Sequence, residues 1–290
     1  MKRDLLLECP PTLQIYYVDL ALFRYNVNMS YLALPVLVVG WVAGLGVNYL
    51  ADVLPRTRRF SRPVCHRCGQ PWTSRAYLLM QPHLCGARRS LRTWIVQAVF
   101  LAVAIALWLN PPKGLGFGLG LLLLTYLGVI FVIDLEERLI LHPVSLAGIV
   151  LGGGIGLYLH GWRATLLGGL AGFGIMFFFY LLGLAFTRLR ARRMRAAGLE
   201  LDDEEALGFG DVALSTVLGL TLGWPLIWFG LLLGILAGGA VSLLIVLILL
   251  IVRRYRKNAL MVFIPYGPYF VLSTILLLYL PNWIVQAVPK

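Results

Sequence analysis

Residues 211–252 run for 42 positions with one charged side chain, Asp211. A segment of that character lacks the polar face that a helix on a soluble protein's surface presents to water. In a bilayer it is too long for one crossing, since 42 residues make about 63 Å of helix against a hydrocarbon core of about 30 Å. Gly223-Trp224-Pro225 supplies a break, dividing the stretch into a short helix and a long one. Further apolar runs fall at about 30–51, 93–109, 115–133, 144–159, 165–187 and 262–281. Together they predict an all-α, polytopic membrane protein with about eight transmembrane helices. Composition agrees: the chain is 60% hydrophobic and 13% charged, where a soluble domain is near a quarter charged.

The basic residues set the expected orientation. Loops 52–92, 134–143, 188–210 and 253–260 hold 9, 1, 5 and 4 Lys/Arg, which is 19 of the 25 in the chain. The opposite loops hold only Lys113 and Arg163. Short basic loops stay in the cytoplasm, so both termini are expected outside and the four basic loops inside. A net charge of +12 could serve nucleic acid, but its placement between spans reads as topology and contact with lipid headgroups. No basic patch interleaved with aromatics is present on a soluble fold, so nucleic acid is excluded as a partner. Residues 1–28 are mixed in character and lack a signal peptide's order of basic, apolar and small residues. They are read as an N-terminal extension, with the first transmembrane helix at 29–51.

Two acidic residues stand out on this map. Asp134 ends the third apolar run, in FVIDLEERLI, and Asp211 begins the sixth, in ALGFGDVAL. The expected topology puts both at the cytoplasmic face. A carboxylate at the edge of the hydrocarbon is costly, so a functional reading is the default. Two that meet can share one proton, one ionised to activate water and the other protonated to act as an acid. Glu136 and Glu137 are read as flanking charges. Gly208 and Gly210 surround Phe209 just before Asp211, and glycine permits a bent backbone or the close approach of another chain. Taken singly, the same residues also read as a loop entering a helix with an acidic cap.

GFGD resembles the GxGD motif of intramembrane-type aspartyl proteases, and the chain resembles the bacterial type IV prepilin peptidases. Asn48 followed by Leu54-Pro55, the Cys65-His66-Arg67-Cys68 loop, the DLEERLI segment and IPYGPY at 264–269 carry that narrower likeness, in consistent order over about residues 30–281. Two positions depart from the pattern: Ala213 stands where the family usually has Lys, and Leu141 where it usually has Pro. The resemblance implies a transmembrane aspartyl peptidase domain over 93–290, with Asp134 and Asp211 catalytic and Gly208, Phe209 and Gly210 supporting the substrate or backbone. It implies type IV prepilin or pseudopilin substrates, an active site at the cytoplasmic face of a bacterial inner membrane, and service to a type IV pilus or type II secretion system. It also implies N-methylation of the new N-terminus with S-adenosylmethionine, although the chain has no Gly-rich loop of a soluble methyltransferase. An ion-coupled transporter using the two acids is the alternative; it should show internal repeats and acids near the midplane.

The loop at 52–92 is the expected zinc and methylation region. Cys65 and Cys68 have the spacing of a zinc knuckle, and a cytoplasmic location disfavours a disulfide. Where the family often carries a second Cys pair, Cys85 remains, with Pro82 at its partner's position and His83 beside it. Cys65, Cys68, Cys85 and His83 are the expected ligand set for a structural zinc. His66 or water is the alternative fourth ligand, and a metal-free thiol cluster the alternative use. Trp72 and Tyr77 are read as an interfacial aromatic belt, with substrate contact as the alternative.

Overall fold

A computed structural model describes residues 11–196, 208–251 and 265–280. The loop acids Asp202 and Glu205, and Cys9, lie outside these. The described residues form eight helices in order: α1 (Pro11–Thr57), α2 (Ser74–Leu78), α3 (Leu91–Leu109), α4 (Gly116–Glu137), α5 (His142–Ala196), α6 (Phe209–Leu222), α7 (Leu226–Ile251) and α8 (Gly267–Tyr279). The described residues contain no strand, only one isolated bridge between Val64 and Pro71.

Among the described residues five helical stretches are long and apolar enough to cross a membrane: Leu34–Thr57, Leu91–Leu109, Gly116–Glu137, His142–Leu189 and Leu226–Leu249. Phe209–Leu222 and Gly267–Tyr279 are shorter apolar helices. The 48-residue stretch would be about 72 Å long if straight, more than twice the hydrocarbon core. It is not straight. Gly161 departs from helical geometry at φ 75, ψ 170, which separates the two runs expected at 144–159 and 165–187. A Cβ placed on Gly156 would lie 2.9 Å from the Thr165 side chain, so the two halves fold back against each other.

Both halves of α5 enclose α6, and small residues make this possible. Gly168 meets the backbone of Gly219, and Gly172 meets the carbonyl of Ser215, with no room for a side chain at either contact. In a membrane, where burial in lipid gives helices no hydrophobic reason to associate, such close backbone packing is a main source of cohesion. α6 is in turn the best-buried helix: Val212, Leu214, Val217, Leu218 and Leu222 are all at most 1% exposed. The outward faces of α5 and α7 carry exposed Leu, Ile and Phe, as lipid-facing helices do.

The ends sort in two. At one end Tyr279 donates its hydroxyl to the carbonyl of Gly120, and Trp224 donates its backbone N–H to Ala164. At the other end lie the start of α3, the end of α4 and the starts of α5, α6 and α8. The candidate site occupies that second end.

Candidate functional site

Asp134 sits in the last turn of α4. Its carbonyl accepts the N–H of Arg138, which closes the helix in the left-handed conformation at φ 51. The side chain is buried at 4% exposure, and Oδ2 has no hydrogen-bond partner among the described residues. A buried, unsatisfied carboxylate oxygen is expensive and calls for a role.

Asp211 comes from the opposite direction, in the first turn of α6, where its N–H bonds to the Gly208 carbonyl. It lies close enough to Asp134 for the two carboxylates to feel each other's charge. The third wall is the start of α8. A Cβ added to Gly267 would collide with Asp134 Oδ2 and lie 3.5 Å from Leu214, three residues along α6 from Asp211. Residues i and i+3 share a helix face, so the Asp211 face of α6 is turned towards Asp134 and α8. Three helix ends thus converge, and the structure brings the two expected acids to one place.

The glycines beside Asp211 are not equivalent. A Cβ on Gly210 would lie 2.9 Å from Ile140, in the segment that follows Asp134, so Gly210 sets the spacing between the two carboxylate-bearing strands of chain. Gly208 is exposed, has an ordinary φ of −81 and meets nothing closer than 3.9 Å. Of the two glycines, Gly210 is the one held to close packing by a neighbouring segment. Phe209 is half exposed and packs edge-on against Tyr180 of α5, ring centres 5.9 Å apart. Gly267, which the sequence offered only as part of IPYGPY, is the glycine with the most direct contact to a carboxylate. A buried acid expected at the end of one helix was the available signal that some other helix must leave room for it.

Ahead of α3 the cysteine loop forms a compact unit. Cys65, Cys68, His83 and Cys85 place their ligand atoms within 4.8 Å of one another. The loop reaches this by two similar turns. Gly69 donates back to Cys65 and Gly86 back to His83, each glycine at positive φ, 72 and 77, where a side chain would be strained. The second turn lets His83 fold back beside Cys85. His66 is turned away, its ring Nδ1 2.8 Å from the Arg56 guanidinium, so His83 fills the fourth position instead.

The donor set fits a tetrahedral ion. Zinc bonds of about 2.3 Å to sulfur and about 2.0 Å to nitrogen put sulfurs about 3.8 Å apart and sulfur about 3.5 Å from nitrogen. Cys65 and Cys85 sulfurs are 3.8 Å apart, and Cys68 sulfur is 3.5 Å from His83 Nδ1. The His83–Cys85 separation is shorter, 3.2 Å, as befits ligands two residues apart. His83 Nε2 lies 3.5 Å from the Pro71 carbonyl, which leaves Nδ1 as the metal-facing nitrogen. The cluster can hold a metal ion.

Trp72 and Tyr77 are each only 8% exposed and form the loop's small core with Cys65, so neither belongs to an interfacial belt. The Arg89 guanidinium lies between their rings, 3.9 and 4.0 Å from the two centres. The Trp72 ring packs edge-on against His83, with centres 4.8 Å apart.

Fold and site together define a multi-pass, all-α membrane protein that gathers two carboxylates at one end of its helices. Residues 121–243, which include both acids, match the model of the Type IV leader peptidase family. No curated protein and no solved structure matches the chain. The cysteine loop lies outside the matched segment.

Proposed function

We propose that this protein is an aspartyl endopeptidase of the bacterial inner membrane that removes the leader from type IV prepilins or pseudopilins. Asp134 and Asp211 are its catalytic pair. The carrying observation is that these two acids, 77 residues apart in the chain, converge at one end of α4 and α6 inside the segment that matches the leader peptidase family. Neither lies at mid-membrane, where a transporter's proton carriers would be expected.

The pair holds one proton between two carboxylates, since like charges at close range disfavour double ionisation. The ionised group takes a proton from water as the water oxygen attacks the scissile carbonyl carbon. The protonated partner gives its proton to the developing oxyanion. Collapse of the tetrahedral species then expels the amine, which carries away a proton. The half-exposed Phe209 ring offers an extended substrate a place beside Asp211. The excess of Lys and Arg in the loops at this end supports a cytoplasmic location. The four-ligand cluster takes zinc, whose role there is to order the loop; the hydrolytic proton transfers belong to the two aspartates.

The test is direct. The purified full chain, incubated in detergent with a leader-bearing prepilin, should yield a product shortened at its N-terminus by mass spectrometry. Intact substrate after prolonged incubation with well-folded protein would overturn the reading.

A further inference from the structure

Among the described residues two ion pairs occur, and both belong to Arg92. One guanidinium nitrogen pairs with Asp52 of α1, and the other lies 3.0 Å from Glu136 Oε2 of α4. Two of the three charges sit at the wrong helix ends. Arg92 is the second residue of α3, where the helix dipole disfavours a cation. Glu136 lies in the last turn of α4, where it disfavours an anion, and Asp52 lies one turn further in from the end of α1. The two unfavourable placements, Arg92 and Glu136, offset each other where the groups meet, and Asp52 adds a second anion to the same guanidinium.

Glu136 is two residues from Asp134 in the same terminal turn, whose closure by Arg138 N–H depends on the Asp134 carbonyl. Asp52 is itself anchored from the loop: Tyr77 donates its hydroxyl to Oδ2 at 2.9 Å. Burial, helped by the Asp52 charge, pushes the Tyr77 pKa up and keeps that hydroxyl a donor. Tyr77 in turn stacks on Arg89, whose guanidinium also covers Trp72, which packs on His83. One continuous set of contacts therefore runs from the metal cluster to the turn that carries Asp134.

We propose that Arg92 is a positioning residue: its fork clamps the last turn of α4 to α1 and the cysteine loop, and so fixes where Asp134 sits. The inference rests on the peptidase reading for its consequence, but the clamp can be judged without it. A bidentate guanidinium suits the task because it holds two carboxylates in one plane, which an ammonium cannot do. Glu136 is 43% exposed, so the pair with it matters for placement rather than for stability.

The experiment compares Arg92→Gln, Arg92→Lys, Glu136→Gln, Asp52→Asn and the Arg92→Gln/Glu136→Gln double variant in the full chain. Two readouts are taken: prepilin cleavage, and hydrogen exchange of the peptide covering 134–141. Arg92→Gln and Glu136→Gln should each lower kcat/KM about tenfold, the scale expected for a small misplacement of a reacting group. The double variant should lose no more than either single one, and Arg92→Lys should keep part of the rate. Exchange in 134–141 should rise severalfold in both single Gln variants. Glu136→Gln, an exposed change that leaves folding intact, is the decisive variant. Wild-type exchange and cleavage by Glu136→Gln, alongside losses in Arg92→Gln and Asp52→Asn, would show that Arg92 merely supports the loop. If wild-type protein fails to cleave prepilin, the peptidase reading falls, and the exchange data alone decide the clamp.

Discussion

The hydrophobic cluster inside the cysteine loop consists of three buried side chains, Cys65, Trp72 and Tyr77, while the helix bundle buries a continuous core from Val36 in α1 to Leu277 in α8. The loop compensates with specific contacts: four convergent ligand atoms, a guanidinium between two rings and a Tyr–Asp hydrogen bond. The bundle relies instead on shape, with backbone against backbone where α5 grips α6. A unit with so little core would gain order from a metal held by its four ligand atoms, whereas the bundle draws its order from packing. The two candidate acids belong to the bundle. Damage to the bundle's end should therefore abolish hydrolysis, and damage to the loop should weaken it at second hand.

The largest effect tests the bundle side. Asp134→Asn or Asp211→Asn should lower prepilin cleavage by at least about a thousandfold with normal membrane insertion, as read by product formation per mole of purified protein. Next comes space rather than charge. Gly267→Ala puts a methyl group against Asp134 Oδ2, and Gly210→Val drives a branched side chain into Ile140. Each should cost about a hundredfold in kcat/KM while leaving both acids in place. Normal turnover by both would mean that the packing around the pair is looser than the contacts indicate.

The loop side predicts a different pattern. Cys65→Ser should remove most of the zinc, measured by metal analysis on protein purified without a polyhistidine tag, and should raise hydrogen exchange across 58–90. Cleavage should fall by less than about tenfold, through the contacts that end at Arg92. Wild-type protein carrying well under about half an equivalent of zinc would break the comparison at its root. The smallest effect is expected at Gly208, where Gly208→Ala meets open space at an ordinary φ and should stay within about twofold of wild type.

Local pattern explains which of these features could be read in advance. Apolar runs mark helices one at a time, so the segments and the sharing of one end by Asp134 and Asp211 follow from counting spans and basic loops. The convergence of the four candidate ligands was legible because they lie within 21 residues, Cys65 to Cys85, at knuckle-like spacing. His83 needed a tight return, which Gly86 supplies. Contacts between distant segments were not legible. Glu136 read as a spare flanking charge because its partner Arg92 is 44 residues away. The different demands on Gly208 and Gly210 depend on Ile140, and the demand on Gly267 depends on Asp134, neither of which a local motif reveals. Trp72 and Tyr77 suggested a membrane interface because aromatic residues beside a span usually mean that; here a small loop core took them first.

The central claim is that Asp134 and Asp211 act as one unit. It is tested by comparing prepilin cleavage by Asp134→Asn, Asp211→Asn and the double variant at matched protein levels. All three should fall to the same background, because removing the second member of a unit costs nothing once the first is gone. Substantial cleavage by either single variant, or a double variant far worse than both, would contradict the paired mechanism.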